Sequence, residues 1–230
     1  MSIHNIQLRS RPFVISMVAA MAATTLVWVA AETGIDRALL MQLAWPEKHP
    51  RSDLLMLLRV WGSLWTWILI ALAVGVQKRS HQGRISDGPR SVGITLVLAP
   101  MMAGGIAELL KLLIRRERPS GLEIYLFRAW SEQPWSTKGL GLPSSHSAVA
   151  FAGSMTLFLL YPRLALPALL IAMGCGVTRV ASGAHYPSDV VVGAVVGGVT
   201  AALAAPPLLS TLNKFHGERE GSLRSGRYQR

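Results

Sequence analysis

Six apolar stretches, each close to the about 20 residues that a helix needs to cross a bilayer, dominate this sequence. They lie at about residues 13–31, 54–76, 92–114, 146–161, 164–181 and 189–209. Hydrophobic residues make up 51% of the 230 residues and charged residues only 15%, which is too apolar for a soluble domain of this length. The sequence therefore predicts an all-α integral membrane protein, a bundle of about six transmembrane helices.

The apolar stretches leave no room for a separate soluble domain, so residues 1–213 are predicted to form a single transmembrane domain. Residues 214–230 are basic and rich in Gly and Ser, which predicts a disordered cytoplasmic tail. The formal net charge is +11, but the cations crowd the ends of the apolar stretches and the tail. Membrane lipids are therefore the expected partners of these cations, and nucleic acid is not.

The distribution of Lys and Arg predicts the orientation in the membrane. These residues are concentrated in the N-terminal flank, in the connection 77–91 and in the tail, which places both termini on the cytoplasmic side of an inner, or plasma, membrane. The connection 115–145 then lies on the outer, periplasmic side although it holds five cations, and this indicates that it binds an anionic headgroup. The first stretch is either a retained helix, which its length favours, or a cleaved signal peptide.

Three clusters of reactive side chains stand at the ends of apolar stretches, and the parity of the crossings puts all of them on one face. In the first, Lys111 and Arg118 are seven residues apart, so a helix ending at Arg118, before Pro119, carries both on nearly one side. Two such cations can bind separate oxygens of a phosphoryl group. Glu108, inside the apolar stretch, is expected to pair with Lys111 or Arg115.

The second cluster, Pro143-Ser144-Ser145-His146, opens the fourth stretch. A helix start presents unpaired amides, which together with the Ser144 hydroxyl can bind phosphate oxygens, while His146 can protonate a leaving alkoxide. The alternative interpretation is a serine N-cap followed by an interfacial histidine.

The third cluster contains Arg179, His185 and Asp189. Asp189 can accept the proton of one ring nitrogen and leave the other nitrogen of His185 free to attack phosphorus. Arg179 would neutralise charge on the equatorial oxygens in the transition state.

Metal binding is the competing interpretation of these residues, since histidine and aspartate are zinc ligands. The cations Lys111, Arg118 and Arg179 would repel a dication and already supply the positive charge that phosphoryl transfer needs. The sequence therefore predicts neither a metal nor another cofactor.

Taken together, the three clusters resemble the motifs of the type 2 phosphatidic-acid phosphatase family, whose site is shared with vanadium haloperoxidases. Lys111, Arg118 and Pro119 match the first motif in full. The second motif is matched by residues 143–146 with Ser145 in the glycine position, and the third by Thr178-Arg179, His185 and Asp189, with Thr178 in the serine position.

The resemblance implies a metal-independent helical bundle with a phosphohistidine intermediate. It implies that His185 is the nucleophile, that Asp189 orients it and that His146 is the general acid. Phosphate binding is implied for Lys111, Arg118, Ser144 and Arg179, with Ser145 in the same phosphate-binding motif.

The leading hypothesis is a membrane lipid phosphatase that hydrolyses a phosphate monoester or diphosphate of a lipid headgroup. The motifs do not separate undecaprenyl diphosphate, phosphatidylglycerophosphate, phosphatidic acid and lipid A phosphate as substrates, and they predict no oligomeric state. Two alternatives are a vanadate-dependent peroxidase, which six spans argue against, and a non-catalytic lipid-phosphate binding or transport protein, which has no need of a nucleophile and an acid.

Overall fold

The computed structural model describes residues 18, 21–23, 25, 27, 29–30, 32–45, 53–76, 88–119 and 126–227, and every regular element in these ranges is a helix. The described residues between 18 and 33 have helical backbone. The helices that follow are α1 (Ile35–Leu43), α2 (Asp53–Val60), α3 (Leu64–Val76), α4 (Gly88–Ile114), α5 (Ser145–Leu160), α6 (Ala165–Ala181) and α7 (Pro187–Arg227), with a 3-10 turn at Pro162–Leu164 before α6. The prediction of an all-helical membrane protein is confirmed.

Three helical segments in the described part of the chain are long and apolar enough to cross a membrane. They are Arg90–Ile114, Pro162–Ala181 and Pro187–Thr211. The pair α2 and α3 counts as a fourth only if the two helices form one bent span, and α5 is apolar but has only 16 residues. The predicted number of about six spans is therefore not reached within the described ranges, and most of the first stretch, 13–31, lies outside them.

The second predicted stretch, 54–76, is not one straight helix, because α2 and α3 meet at an angle of 75°. The break falls at residues 61–63, where the Ser63 hydroxyl accepts a hydrogen bond from the Trp65 amide at the start of α3. Gly62 lies so close to α5 that an added Cβ would stand 2.7 Å from the His146 carbonyl oxygen. The bend thus brings the end of α2 against His146.

Helix α5 lies at the centre of the bundle and packs against α4, α6 and α7. Its small residues allow this close packing, since Ala148 and Ala152 are fully buried against Ala103 and Ala107 of α4 and Ala201 of α7. An added Cβ at Gly193 or Gly197 of α7 would overlap backbone atoms of Ser144 or of Ala148, respectively. These two glycines therefore permit the close approach of α7 and α5.

Four helix ends meet on one face of the bundle. The end of α4, the beginning of α5, the end of α6 and the beginning of α7 all lie there, as the parity of the apolar stretches predicts. The Ser144 amide, just before α5, donates a hydrogen bond of 2.9 Å to the Asp189 carbonyl oxygen in the first turn of α7. All three motif clusters are carried by these four ends.

At its other end α7 extends beyond the membrane-spanning segment. Its backbone is helical as far as Arg227, and the disordered tail expected for residues 214–230 stays a prediction. The sequence has no proline after Pro207, and a helix that has already formed extends by one residue at little cost. The division of the chain at residue 213 stays a prediction.

Candidate active site

Lys111, near the end of α4, is buried and forms a cluster with Glu108 and Ser145. Its ammonium group donates a 2.6 Å hydrogen bond to Glu108 Oε1 and a second bond to the Ser145 hydroxyl, which in turn donates to the same carboxylate oxygen. The predicted pairing of Glu108 with Lys111 is therefore confirmed. An ammonium group has three donors, so one proton of Lys111 is left over for an anionic ligand.

The segment after α4 differs from the prediction. The helix ends at Ile114 and not at Arg118, and Arg115 has a left-handed backbone with φ of 60°. The following residues are extended, with the Arg118 amide donating to Gly139 O at 2.9 Å and the Gly141 amide donating to Arg116 O at 2.7 Å. Arg118 thus reaches the site from an extended segment and not from the helical face of Lys111.

Arg115 explains why the helix stops early. Its guanidinium is buried and donates to the carbonyl oxygens of Arg128 at 3.1 Å, Ala129 at 2.9 Å and Pro134 at 3.4 Å, and also to that of Glu132. These bonds hold the connection that precedes α5 against the end of α4. Arg115 is a structural residue of this connection.

Ser144 is the N-cap of α5, and its hydroxyl oxygen accepts bonds from the Ser147 amide at 3.4 Å and the Ser147 hydroxyl at 3.1 Å. The N-cap predicted in the alternative interpretation is therefore present, and phosphate binding by Ser144 stays a prediction. His146, two residues later, is partly buried and lines a cavity of about 260 Å³ together with Thr178 and Ser182 at the end of α6.

The third cluster brings a buried histidine next to a buried carboxylate. His185 and Asp189 are both fully buried, and His185 Nδ1 lies 3.6 Å from Asp189 Oδ2, just beyond hydrogen-bond distance. Asp189 Oδ2 accepts a 2.9 Å hydrogen bond from the Tyr186 amide. Burial lowers the pKa of His185, the neighbouring Asp189 opposes this effect, and the positive charges of Arg179 and Arg118 lower the pKa further. The net lowering keeps the imidazole neutral near pH 7, the state in which a ring nitrogen can attack phosphorus.

Arg179 is 5% exposed at the end of α6, yet the described residues do not balance its charge. No carboxylate of the described ranges lies within 4 Å of it, and its Nε atom has no hydrogen-bond partner there. Its charge acts on both His146 and His185. A buried guanidinium in this state is suited to bind an anion.

Arg116, which belongs to none of the three sequence clusters, is fully buried behind Asp189. Arg116 donates to Asp189 Oδ1 and, at 2.9 Å, to the Ser188 hydroxyl, and its guanidinium stacks 5.1 Å from the centre of the Tyr186 ring. Asp36 of α1 completes the network, because it accepts a 2.8 Å bond from the Ser188 amide and lies 3.8 Å from Arg116 Nη1. The sequence offers only a weak signal for this network, because Asp36 is a carboxylate among apolar residues and lies far along the chain from Arg116.

The eight predicted site residues therefore converge at one end of the bundle. Lys111 is bonded to Ser145, the Ser144 amide is bonded to the Asp189 carbonyl oxygen, and His185 faces the Asp189 carboxylate. The remaining three are close enough for their charges to interact, since Arg118 acts on Lys111 and His185, and Arg179 acts on both histidines. Among the described residues, no group of three or more His, Cys, Asp or Glu side chains has the arrangement of a metal site.

A family model decides the classification of the chain. The model of the PAP2 superfamily matches residues 92–207, just over half of the 230 residues, and this range contains all eight predicted site residues. The chain belongs to the PAP2 superfamily.

Individual relatives agree with this assignment. The chain is 34% identical to a lipid A 1-phosphatase of Rhizobium etli over 114 residues, which are 50% of this chain and 49% of the relative. It is 26% identical to an undecaprenyl-diphosphatase of Sulfolobus acidocaldarius over 147 residues, 64% of this chain and 65% of the relative. The chain thus matches between about half and two thirds of the length of these relatives.

A solved structure shares the fold. The transmembrane PAP2-type phosphatidylglycerolphosphate phosphatase of Bacillus subtilis superposes with a TM-score of 0.55, covering 89% of this chain and 94% of the other. Because the two sequences are only 19% identical, this likeness shows the fold alone.

Proposed function

We propose that this PAP2 protein is a membrane lipid phosphatase that hydrolyses a phosphate monoester or diphosphate of a lipid headgroup through a phosphohistidine intermediate. One observation carries the proposal. The buried His185–Asp189 pair adjoins a buried Arg179 for which the described residues supply no carboxylate within 4 Å. Phosphoryl transfer requires a nucleophile and a neighbouring cation that can bind the anionic phosphate.

In the first step His185 Nε2, the ring nitrogen that does not face Asp189, attacks phosphorus in line with the leaving oxygen. A P–N bond forms as the P–O bond breaks, and the electron pair of the broken bond goes to the leaving oxygen, which takes a proton from His146. In the second step His146 takes a proton from water, the resulting hydroxide attacks phosphorus, and the P–N electron pair returns to His185. The products are the dephosphorylated lipid and inorganic phosphate.

The remaining site residues bind and position the phosphate. Arg118, Arg179 and the third proton of Lys111 neutralise its oxygens, while Ser144 and the first amides of α5 bind at the helix start. Ser145 and Glu108 hold Lys111 in place through their hydrogen bonds. We propose a metal-independent reaction because these cations supply the positive charge that a metal would bring.

The names of the relatives guide the choice of substrates to test. One relative acts on lipid A 1-phosphate and another on undecaprenyl diphosphate, and both are phosphates carried by membrane lipids. We propose that the site opens to the outer face of the inner membrane, with both termini in the cytoplasm. Six spans result if the first stretch, the bent pair α2 and α3, and α5 each cross the bilayer.

Phosphate release by the purified full chain in detergent micelles tests this function. The substrates are a prenyl diphosphate, a prenyl monophosphate, phosphatidic acid, phosphatidylglycerophosphate and lipid A, each assayed with a metal chelator. His185→Ala should lower the release more than about a thousandfold, as loss of a nucleophile does elsewhere. His216→Ala, outside the region matched by the family model, should leave it unchanged. Equal release by His185→Ala and the unmodified chain would refute the nucleophile, and loss of all release on chelation would refute metal independence.

A further inference from the structure

A cavity lies beside His146, the proposed general acid, and none of the proposed reaction steps uses it. It measures about 260 Å³, and the residues that line it are Trp45, Leu55, Met56, Arg59, Val60, Ser63, His146, Thr178 and Ser182. This volume is slightly below the about 300–1,000 Å³ of pockets that enclose a whole small ligand. It therefore suits one part of a larger substrate.

The position of His146 indicates which part of the substrate this is. A general acid must lie within hydrogen-bond reach of the oxygen that it protonates. The portion of the substrate that leaves with that oxygen therefore occupies space adjoining His146, and the cavity is such a space.

Arg59 gives the cavity its charge. It is exposed, it is the last but one residue of α2, and among the described residues no carboxylate lies within 4 Å of it. The 75° bend after α2 and the contact of Gly62 with His146 place this helix end at the cavity. The charge of Arg59 acts on both His146 and Arg179, so an anion bound to Arg59 would lie near the phosphate under attack.

Two of the three hydroxyl groups that line the cavity, those of Thr178 and Ser182, already donate within the protein. The Thr178 hydroxyl donates to the Cys175 carbonyl oxygen at 2.7 Å, and the Ser182 hydroxyl donates to the Arg179 carbonyl oxygen at 3.2 Å. Both hydroxyl protons are thus used within α6 and its end. The guanidinium of Arg59, with its planar set of donors, remains for the substrate and matches the oxygens of a phosphate.

We propose that this cavity receives the leaving portion of the substrate and that Arg59 binds a second phosphate there, so that the enzyme prefers lipid diphosphates to lipid monophosphates. This inference rests on the proposed phosphatase function. In a diphosphate, the terminal phosphoryl group passes to His185 and the bridging P–O bond breaks. The leaving group is then a lipid monophosphate, whose charge Arg59 neutralises. When the substrate is a lipid monophosphate, the leaving group is an uncharged alcohol, and Arg59 does not stabilise its departure.

The test compares two substrates with the same prenyl chain, farnesyl diphosphate and farnesyl monophosphate, on the full chain in detergent micelles. The variants are Arg59→Gln, Arg59→Lys and the control Arg163→Gln. Arg163 is an exposed arginine in the 3-10 turn between α5 and α6, at the other end of the bundle. The quantity measured is kcat/KM for each substrate.

Arg59→Gln should lower kcat/KM for the diphosphate by about tenfold or more, a change of about 1.4 kcal/mol, and change that for the monophosphate by less than about threefold. Arg59→Lys should recover part of the loss, and Arg163→Gln should behave as the unmodified chain does.

An equal loss on both substrates, no loss on either, or a preference of the unmodified chain for the monophosphate would overturn the inference. If the unmodified chain hydrolyses neither substrate nor any other lipid phosphate, the proposed function itself has failed. If it hydrolyses both and Arg59→Gln leaves their ratio unchanged, this inference is refuted while the proposed phosphatase function stands.

Discussion

Replacement of Arg116 by glutamine should destabilise the protein strongly, because this residue compensates two buried carboxylates. Arg116 is fully buried, donates to Asp189, and lies 3.8 Å from Asp36, both of which are also buried. Removing one partner of a buried ion pair leaves an uncompensated charge and costs about 3–5 kcal/mol. For a chain of this size each kcal/mol shifts the melting temperature by about 2–4 °C, so Arg116→Gln should melt about 6–20 °C lower.

Thermal unfolding in detergent micelles measures this effect, with Lys138→Gln as the control. Lys138 is an exposed cation of the same connection, and its replacement should change stability by no more than about 0.5 kcal/mol. Adding Asp36→Asn to Arg116→Gln removes one of the stranded charges, so the double variant should melt above the value expected for additive single effects. A melting temperature of Arg116→Gln within 2 °C of the unmodified chain, or strict additivity with Asp36→Asn, would refute the reasoning.

Two further predictions concern His185 and the packing of α7. Burial holds the pKa of His185 below its ordinary value of 6.5, so its imidazole should be neutral above pH 6.5 and gain a proton only in more acidic solution. Histidine 15N NMR of the protein in micelles, assigned by comparison with His185→Gln, measures this, and titration at pH 7 or above would contradict it. Gly197→Ala should cost about 1–3 kcal/mol in thermal unfolding, because its Cβ overlaps the Ala148 backbone. Gly198→Ala, whose Cβ would lie 3.9 Å from Met155, is the matched control, and equal melting of the two variants would show that the close approach is unimportant.

The helices and the convergence of the candidate site residues were predictable because their signals are local. Apolar length predicted the helices after residue 88, three of which are long enough to cross a membrane, and the order of the clusters along the chain placed them at one end of the bundle. The small residues spaced four apart in α7, Gly193 and Gly197, are a local signal of the same kind, and they pack closely against α5. These features depend on hydrophobicity and helical periodicity, which a single sequence contains.

The end of α4 was predicted incorrectly because a distant interaction determines it. Pro119 and the spacing from Lys111 favoured a helix as far as Arg118, yet the helix ends at Ile114. The Arg115 guanidinium binds carbonyl oxygens of residues 128–134, and these bonds compensate the left-handed backbone at Arg115. No local pattern predicts which cation of such a run turns back towards a later connection.

The pairing of Arg116 with Asp36 was not predictable for a similar reason, because 79 positions separate them in the sequence. Arg116 belongs to a run of cations that the sequence analysis assigned to headgroup binding as a group. The structure divides this run by burial, with Arg115 and Arg116 enclosed and Arg118 exposed. Burial is a property of the assembled bundle, so the separate roles of the arginines appear only when the helix ends are in place.

The balance of charges at the site follows from this division and links the fold to the proposed chemistry. Glu108 compensates Lys111, and Asp36 and Asp189 compensate Arg116, so these pairs are complete without a ligand. Arg118 and Arg179 have no carboxylate within 4 Å among the described residues, and both act on His185. Burying an uncompensated guanidinium such as that of Arg179 is costly, and an anionic phosphate beside His185 would offset the cost. The complete pairs therefore stabilise the structure, and the proposed phosphate binding rests mainly on Arg118 and Arg179, assisted by the third donor of Lys111.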